Sequence, residues 1–300
     1  MNDIATRALG KTGERVSTLC LGGGHVGIPS LSTKEAVRIV QYAVDSGITF
    51  LDNAWEYNEG LSESRMGEAI SDRRDKVFLM TKVCARDRGG AERQLHESLR
   101  RLRTDYVDLW QFHEINYGND HEWIFEPSGA AEAARAALQA GKVRYIGSTG
   151  HKDPEYLLRM LEYDFPWAAA QMPINILDSG FRSFTTSVLP ELEARGIAAI
   201  GMKSLGGSAE LVTRAGLPVG DCIRFALSQS IASLVCGMES IERVDQNLDI
   251  ARNFEPMSAE EQQALTAKTA GVAGDGRYER YKTTQNYDSQ VHRRQHCFPE

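Results

Sequence analysis

The chain has 300 residues, 42% hydrophobic and 25% charged, close to globular averages, which excludes an intrinsically disordered chain. Its 34 Lys+Arg against 41 Asp+Glu give a formal charge of −7 and a pI of about 5.6. That is the wrong sign for a nucleic-acid or anionic-membrane footprint, and it directs attention to a small-molecule partner.

From the N-terminus, Met-Asn-Asp-Ile-Ala-Thr-Arg has no apolar signal region, and no stretch approaches 18 uncharged apolar residues. No membrane association is expected, and a cytoplasmic address follows by default. Arg7 to Val16 reads as two short strands around a Gly-containing turn, a hairpin over residues 1–17 able to cap one end of a barrel. Short apolar runs then recur: 16–21, 48–51, 77–83, 106–112, 143–146, 168–174, 197–202 and 231–236. Most are continuously apolar, the pattern of parallel strands buried on both faces.

Amphipathic stretches of helical period alternate with them: 33–46, 63–70, 91–102, 128–140, 154–163, 184–195, 219–230 and 241–253. Ser32 with Glu35 forms a capping box, Pro154 follows Asp153 at a helix start, and Gly47, Gly141 and Gly196 stop helices before the next strand. The repeat of roughly 30 residues is one βα unit. Eight units predict a (β/α)8 TIM barrel, with an open doubly wound sheet as the alternative. Although about 150 residues per domain would suggest two domains, an α/β barrel uses 200 or more as one. The expectation is therefore a single barrel domain over residues 1–300, carrying the hairpin and a C-terminal segment 254–300. Within that segment Ser258 and Glu261 open a helix to about Ala270, followed by a polar tail from Gly271.

Gly22-Gly23-Gly24-His25-Val26-Gly27 matches G-x-G-x-x-G after a strand, with Asp52 ending the next. A dinucleotide fingerprint needs its third glycine inside a helix start, and here Pro29 intervenes before the Ser32 cap. The glycines are read instead as letting backbone lie close to a ligand at the mouth of the first strand. The five cysteines are odd in number and scattered, without a C-x-x-C pair, and are read as reduced thiols. His292, His296 and Cys297 have helix-like spacing but no fourth ligand, so no metal site is expected.

In such a barrel, function sits at the C-terminal strand ends. Asp52 closes the second strand, Lys82 sits late in the third, and His113 closes the fourth; Tyr57 follows Asp52 by five residues. Buried Lys and Asp are rarely unpaired, so Asp52 and Lys82 are expected to pair.

The run Leu51-Asp52-Asn53-Ala54-Trp55-Glu56-Tyr57-Asn58-Glu59-Gly60-Leu61-Ser62-Glu63 resembles the aldo-keto reductase segment of Asp, Tyr five residues on, then a Gly and a Ser-Glu pair. Met80-Thr81-Lys82-Val83 and Asp108 to His113 resemble that family's third-strand lysine and fourth-strand histidine. The resemblance extends in order through 201–207 and Arg243 with Gln246-Asn247.

It implies hydride transfer between a nicotinamide cofactor and a carbonyl carbon, with Tyr57 as general acid and base. Lys82 would lower the Tyr57 pKa, Asp52 would hold Lys82, and a neutral His113 would donate to the carbonyl oxygen. By the same resemblance the cofactor is held by Gly23, Gly24, Asp52, Thr149, Gln171, Met202, Lys203, Leu205, Gly207, Arg243 and Asn247. The family's Ser-Asn pair after the fifth strand is Thr149-Gly150 here, and Met202 replaces the stacking aromatic. Gly237 stands where a basic residue usually faces the adenosine 2′-phosphate, followed closely by Glu239, while Arg243 remains. NADP(H) is therefore the first expectation and NAD(H) the second.

His25, Trp55, Trp123 on the long loop 114–127, and Tyr281 are the candidate substrate contacts, since the family's C-terminal segment commonly covers the mouth. Two rival functions share the fold: a nicotinamide-binding regulatory or sensing subunit, and a Schiff-base lyase using Lys82. A monomer or small homo-oligomer acting on a small carbonyl or alcohol is expected.

Overall fold

Eight short parallel strands close on themselves in a computed structural model that describes residues 4–299. Residues 1–3 of the expected hairpin segment and Glu300 of the tail lie outside the described residues. The hairpin pairs β1 (Thr6–Ala8) with β2 (Arg15–Ser17), antiparallel. The barrel strands are β3 (Leu19–Gly22), β4 (Phe50–Asp52), β5 (Phe78–Val83), β6 (Val107–Phe112), β7 (Val143–Thr149), β8 (Trp167–Pro173), β9 (Ala198–Met202) and β10 (Ser233–Gly237). Each pairs with its neighbours in chain order, and β10 pairs with both β9 and β3, which closes a (β/α)8 barrel rather than an open doubly wound sheet.

Strand side chains alternate between faces, so one inward layer is followed by another two residues on. Cys20, Phe50, Phe78, Met80, Leu109, Ala169, Ala198 and Ile200 pack inside the barrel, and Leu9 and Val16 of the hairpin segment plug its base. Arg7 ties the hairpin to the base through the carbonyls of Leu227 and Ile231, 2.7 and 2.8 Å away. One pleat further toward the C-terminal end the inward series turns polar: Asp52 follows Phe50, Lys82 follows Met80, Gln111 follows Leu109 and Gln171 follows Ala169. An apolar floor thus carries a polar layer at the mouth. Asp108, which broke the apolar pattern of its strand, lies on the opposite face and binds Arg74 and Arg144 at 2.8 and 2.7 Å.

Both capping boxes form, Ser32 with Glu35 and Ser258 with Glu261. Three expectations need correction. The run 16–21 is not one strand: the Ser17 hydroxyl donates to Leu19 O and accepts from Thr49 N, and this bend hands the chain from hairpin to barrel. The helix expected over 184–195 breaks into Phe184–Ser187 and Leu189–Arg195, because Pro190 has no N–H and its ring crowds the preceding turn. The glycine-rich segment forms one helical turn, Gly23–Val26, ended by Gly27.

The tail lies over the mouth, as the resemblance implied, but it is folded and buried rather than a solvated polar tail. Residues after the Ala259–Ala273 helix fold into two further short helices, Arg280–Thr283 and Gln290–Gln295, and return across the barrel mouth. Tyr281, Lys282 and His292 in this strap are as buried as the core. Polar composition was misleading here because many of the polar groups pair with barrel loops rather than with water, Asp288 with Lys152, Asn116 and Tyr117 and Lys282 with Asp178. No helix among the described residues is long and apolar enough to cross a membrane.

Candidate active site

β4 ends at Asp52, and the chain beyond it is pinned to β5: Asn53 N and Trp55 N donate to Met80 O and Lys82 O at 2.9 and 3.1 Å. Asn58 and Glu59 take left-handed backbone, a costly conformation outside glycine. They turn the chain so that Asn58 Nδ2 donates to Gly24 O and Ser62 Oγ to Gly23 O, 2.9 and 2.5 Å. Glu63 accepts from Thr81 and Arg101 beneath. The Ser-Glu pair therefore clamps the glycine turn against the Tyr57 loop. The approach is close: a Cβ on Gly23 would lie 2.4 Å from Asp52 O.

The Lys82 ammonium sits at the centre of this frame. It donates to Asp52 Oδ1, to Asn53 O at 2.8 Å and to Tyr57 Oη at 3.2 Å, so its three protons are all committed. The Tyr57 and His113 rings meet edge to face, 5.7 Å between centroids. Asp52, Lys82, Tyr57 and His113 are thus brought together from three consecutive strand ends. Burial raises the Asp52 carboxyl, with Lys82 pulling the other way. The expected lowering of Tyr57 is corrected: burial, reinforced by Asp52, Glu56 and Glu114, pushes the phenol well above its usual range. Lys82 does not prevent this because its charge is balanced by Asp52.

Three residues beside the tetrad escaped the sequence reading. Glu56 Oε1 lies 2.7 Å from His113 Nδ1, and the Cys84 thiol donates to Glu56 Oε2 at 2.9 Å. Burial alone would raise the Glu56 carboxyl, but His113 and the Cys84 hydrogen bond hold it at about 2. A carboxylate only accepts, so the proton on this side of His113 is at Nδ1. With Nδ1–H turned to Glu56, a neutral ring would present only a lone pair at Nε2. Glu114, the third, is raised to about 7 by burial and accepts from Ser289 N and Oγ, both at 2.9 Å. Glu56 and Glu114 directly flank Tyr57 and His113, and that adjacency was the available signal.

The strap is anchored by a second set of ionic groups. Asp288 accepts from Lys152 Nζ, Asn116 Nδ2 and Tyr117 Oη, with His151 Nε2 3.3 Å away. Lys282 Nζ lies 2.8 Å from Asp178 and 2.9 Å from Glu279. His292 and His296 do converge, on Asp120, but Arg86 occupies the same carboxylate at 3.0 Å and Cys297 is exposed, so the group reads as an anchor. His151 was missed although it lies two residues past the mouth end of β7, close to the positions that flagged Asp52 and His113.

The remaining candidates separate. Tyr281 is at the mouth, wholly buried, bonded to Glu279 and Asn175 at 2.8 Å with Lys203 over its ring. Trp55 is corrected: its indole N–H donates outward to Glu97 at 2.7 Å and Arg101 covers its ring. Trp123 is corrected as well, stacking at 5.0 Å on His296 to hold the strap. His25 turns away from the tetrad onto Gly237 and pairs with Glu239 at 3.2 Å.

Among the cofactor candidates, Gln171 accepts from Gln111 Nε2 at 2.8 Å and its own amide nitrogen has no hydrogen bond to a described residue. Thr149 and Asn247 are buried, while Met202 and Leu205 are half-buried. Gly207 lies directly beneath the Tyr287 ring of the strap. Lys203 has left-handed backbone, a pKa lowered by burial, and ring faces but no carboxylate as close partners. Arg243 is exposed, bonded to Gln246 at 2.8 Å, with Glu239 3.9 Å away.

A closed parallel barrel with an Asp-Lys-Tyr-His cluster at three strand ends defines a recognisable class. The model of the Aldo/keto reductase family matches residues 18–221, and the chain belongs to that family. Among similar proteins, the uncharacterized oxidoreductase YrpG of Bacillus subtilis is 38% identical over 162 residues, 47% of this chain and 48% of that protein. This chain thus matches about half of YrpG's length. L-Galactose dehydrogenase of Arabidopsis thaliana is 28% identical over 87% of this chain and 92% of its own length. Aldo-keto reductase AKR11C1 from Bacillus halodurans, solved in a holo form, shares the fold with a TM-score of 0.73 at 24% identity, covering 93% of this chain and 99% of that one.

Proposed function

We propose that this chain is an NAD(P)H-dependent oxidoreductase that reduces an aldehyde or ketone, or oxidises the matching alcohol. The observation that carries the reading is Tyr57 Oη accepting from a Lys82 ammonium that Asp52 and Asn53 hold in place. Because the phenol oxygen already accepts from Lys82, its own proton is the one available to a substrate oxygen. Burial keeps the phenol protonated, so the proton is present when an alkoxide, a stronger base, forms beside it.

The residues present fit a nicotinamide dinucleotide. Lys203 is a cation at the mouth with no carboxylate of the described residues within salt-bridge distance, as expected of a residue that meets a phosphate. The Gln171 amide nitrogen is free for an amide oxygen. The bound nicotinamide supplies or accepts the hydride. Gly23 and Gly24 would let it approach the Tyr57 loop, Asp52 would border it, and Thr149, Met202, Leu205, Gly207 and Asn247 would line the rest. Arg243 supports NADP(H) as the first choice, and Glu239 beside it keeps NAD(H) as the second. Lys82 does not support a Schiff-base lyase, since an ammonium giving away all three protons has no lone pair for a carbonyl.

Titration with NADPH and NADH in parallel, followed by turnover on a panel of aldehydes, tests the reading. Binding of one nucleotide with carbonyl-dependent oxidation of it is expected. Tight binding with no turnover on any aldehyde would favour the regulatory alternative.

A further inference from the structure

Two facts about His113 constrain what it does. Its Nδ1 is committed to Glu56 Oε1 at 2.7 Å, and Nε2 has no hydrogen bond to a described residue. A substrate therefore meets Nε2. With Nδ1 carrying the proton, a neutral ring offers only a lone pair at Nε2, and a carbonyl oxygen repels a lone pair. The ring can donate there only as an imidazolium, and a buried imidazolium needs a counter-ion. Glu56 is that counter-ion in position, and it is itself held from behind by the Cys84 thiol.

We propose that Glu56 is a positioning residue of the reaction: its carboxylate fixes Nδ1–H of His113 and balances a second proton on Nε2, so that His113 meets the carbonyl oxygen as a charged donor. Resting on the function proposed above, this gives the oxygen two donors of different kind. Tyr57 transfers the proton, and the imidazolium stabilises charge as it develops on oxygen, where a fixed donor acts most strongly. The low Glu56 pKa of about 2 agrees with a carboxylate held ionised by a cation.

Other groups around the ring do not replace Glu56. Arg86 bonds the His113 carbonyl, not the ring. Tyr57 presents a ring edge, and Cys84 remains a thiol because burial and Glu56 push its pKa well up. Asp52 is spent on Lys82. Glu114, titrating near 7, is bonded to Ser289 and affects His113 only through its charge.

The test pairs a pH profile with a direct view of the ring. The wild-type pH profile of carbonyl reduction is the reference. Glu56→Gln keeps the shape and an acceptor for Nδ1–H but removes the charge. It should lower kcat about 10- to 100-fold, as loss of a supporting partner does. The same change should shift the alkaline side of that profile to lower pH, because the counter-ion beside the ring is gone, while leaving nucleotide Kd within about twofold. Glu56→Asp should recover part of both.

Nitrogen-15 NMR of histidine-labelled wild-type protein at neutral pH should find both His113 nitrogens protonated, and requires neither turnover nor a variant. A bare Nε2 in wild type, or a Glu56→Gln profile that superimposes on wild type, overturns the proposal. Failure of the wild type to reduce any carbonyl would instead remove the proposed function, with the nitrogen shifts still deciding whether Glu56 keeps the ring charged.

Discussion

Two clusters of buried ionic residues share the barrel mouth, and they differ in what they leave open. In the cluster from the ends of β4, β5 and β6, every proton of Lys82 is committed, yet the Tyr57 proton and His113 Nε2 have no partner among the described residues. In the strap cluster, Asp288 is surrounded by Lys152, Asn116 and Tyr117, and Lys282 by Asp178 and Glu279. A network that leaves a proton donor and a ring nitrogen open at the mouth can act on a ligand, whereas one whose ions pair with one another fastens the chain, even with Glu279 Oε2 left without a hydrogen bond. Burial and charge alone do not distinguish the two.

The sharpest break between them is a crossed pair of variants. Tyr57→Phe should reduce carbonyl turnover by about 10²–10⁴-fold, the span of a lost general acid, with thermal stability and nucleotide Kd nearly unchanged. Lys282→Met should do the converse, costing about 3–5 kcal/mol in denaturant unfolding because Asp178 and Glu279 are left buried without their cation. Turnover retained by Tyr57→Phe, or an unaltered unfolding midpoint in Lys282→Met, would erase the distinction.

The difference also explains what could be read from the chain. The tetrad spans residues 52 to 113: Asp52 and His113 stand where an apolar strand run stops, Lys82 interrupts one near its end, and Tyr57 is marked by its spacing from Asp52. The barrel itself was legible for a related reason: a periodic pattern of apolar runs and amphipathic helices is imposed by burial on both strand faces. The strap leaves no such trace. Asp288 and Asn116 are 172 positions apart, and Lys282 and Asp178 are 104 apart. A polar tail that will be clasped and one that will be solvated have the same composition, and only the placement of partners separates them. Trp55 illustrates the limit at short range: it stands two residues before Tyr57, yet its indole N–H donates to Glu97 on the outer helix.

Acidification should open the strap before it disturbs the barrel. His151 and His292 are held at about 3 by burial, against about 6.5 when unfolded. Between those values the unfolded chain binds more protons, so stability falls as pH drops through 6.5 toward 3. Asp288, held at about 2 because its His151 and Lys152 contacts outweigh burial, adds a loss below its unfolded value near 4. Glu114 works in the opposite sense: raised to about 7, it contributes stability that is complete below 4.5 and lost as pH rises through 7. Two imidazoles moved from 6.5 to about 3 outweigh one carboxyl moved from 4.5 to about 7, so the net effect of acid is loosening. Limited proteolysis across about pH 7 to 4, with cleavage sites mapped, should show cuts in 276–299 appearing first. Equal protection of that segment throughout would mean the strap is held by its apolar contacts instead.

The smallest effect lies at the far end of the mouth, away from both clusters. Glu239 stands between His25, 3.2 Å away, and Arg243, 3.9 Å away, and all three side chains are substantially exposed. An exposed carboxylate beside the one arginine proposed to meet a 2′-phosphate both competes for that guanidinium and repels the phosphate. Solvent screening limits such an effect to about 1 kcal/mol or less. Glu239→Gln should therefore tighten NADPH by about three- to fivefold while leaving NADH within twofold, and the gain should shrink as salt rises. Arg243→Ala should weaken NADPH alone. If Glu239→Gln shifts both nucleotides equally, the carboxylate is not beside the 2′ position, and the preference for NADP(H) has to be sought elsewhere on the mouth.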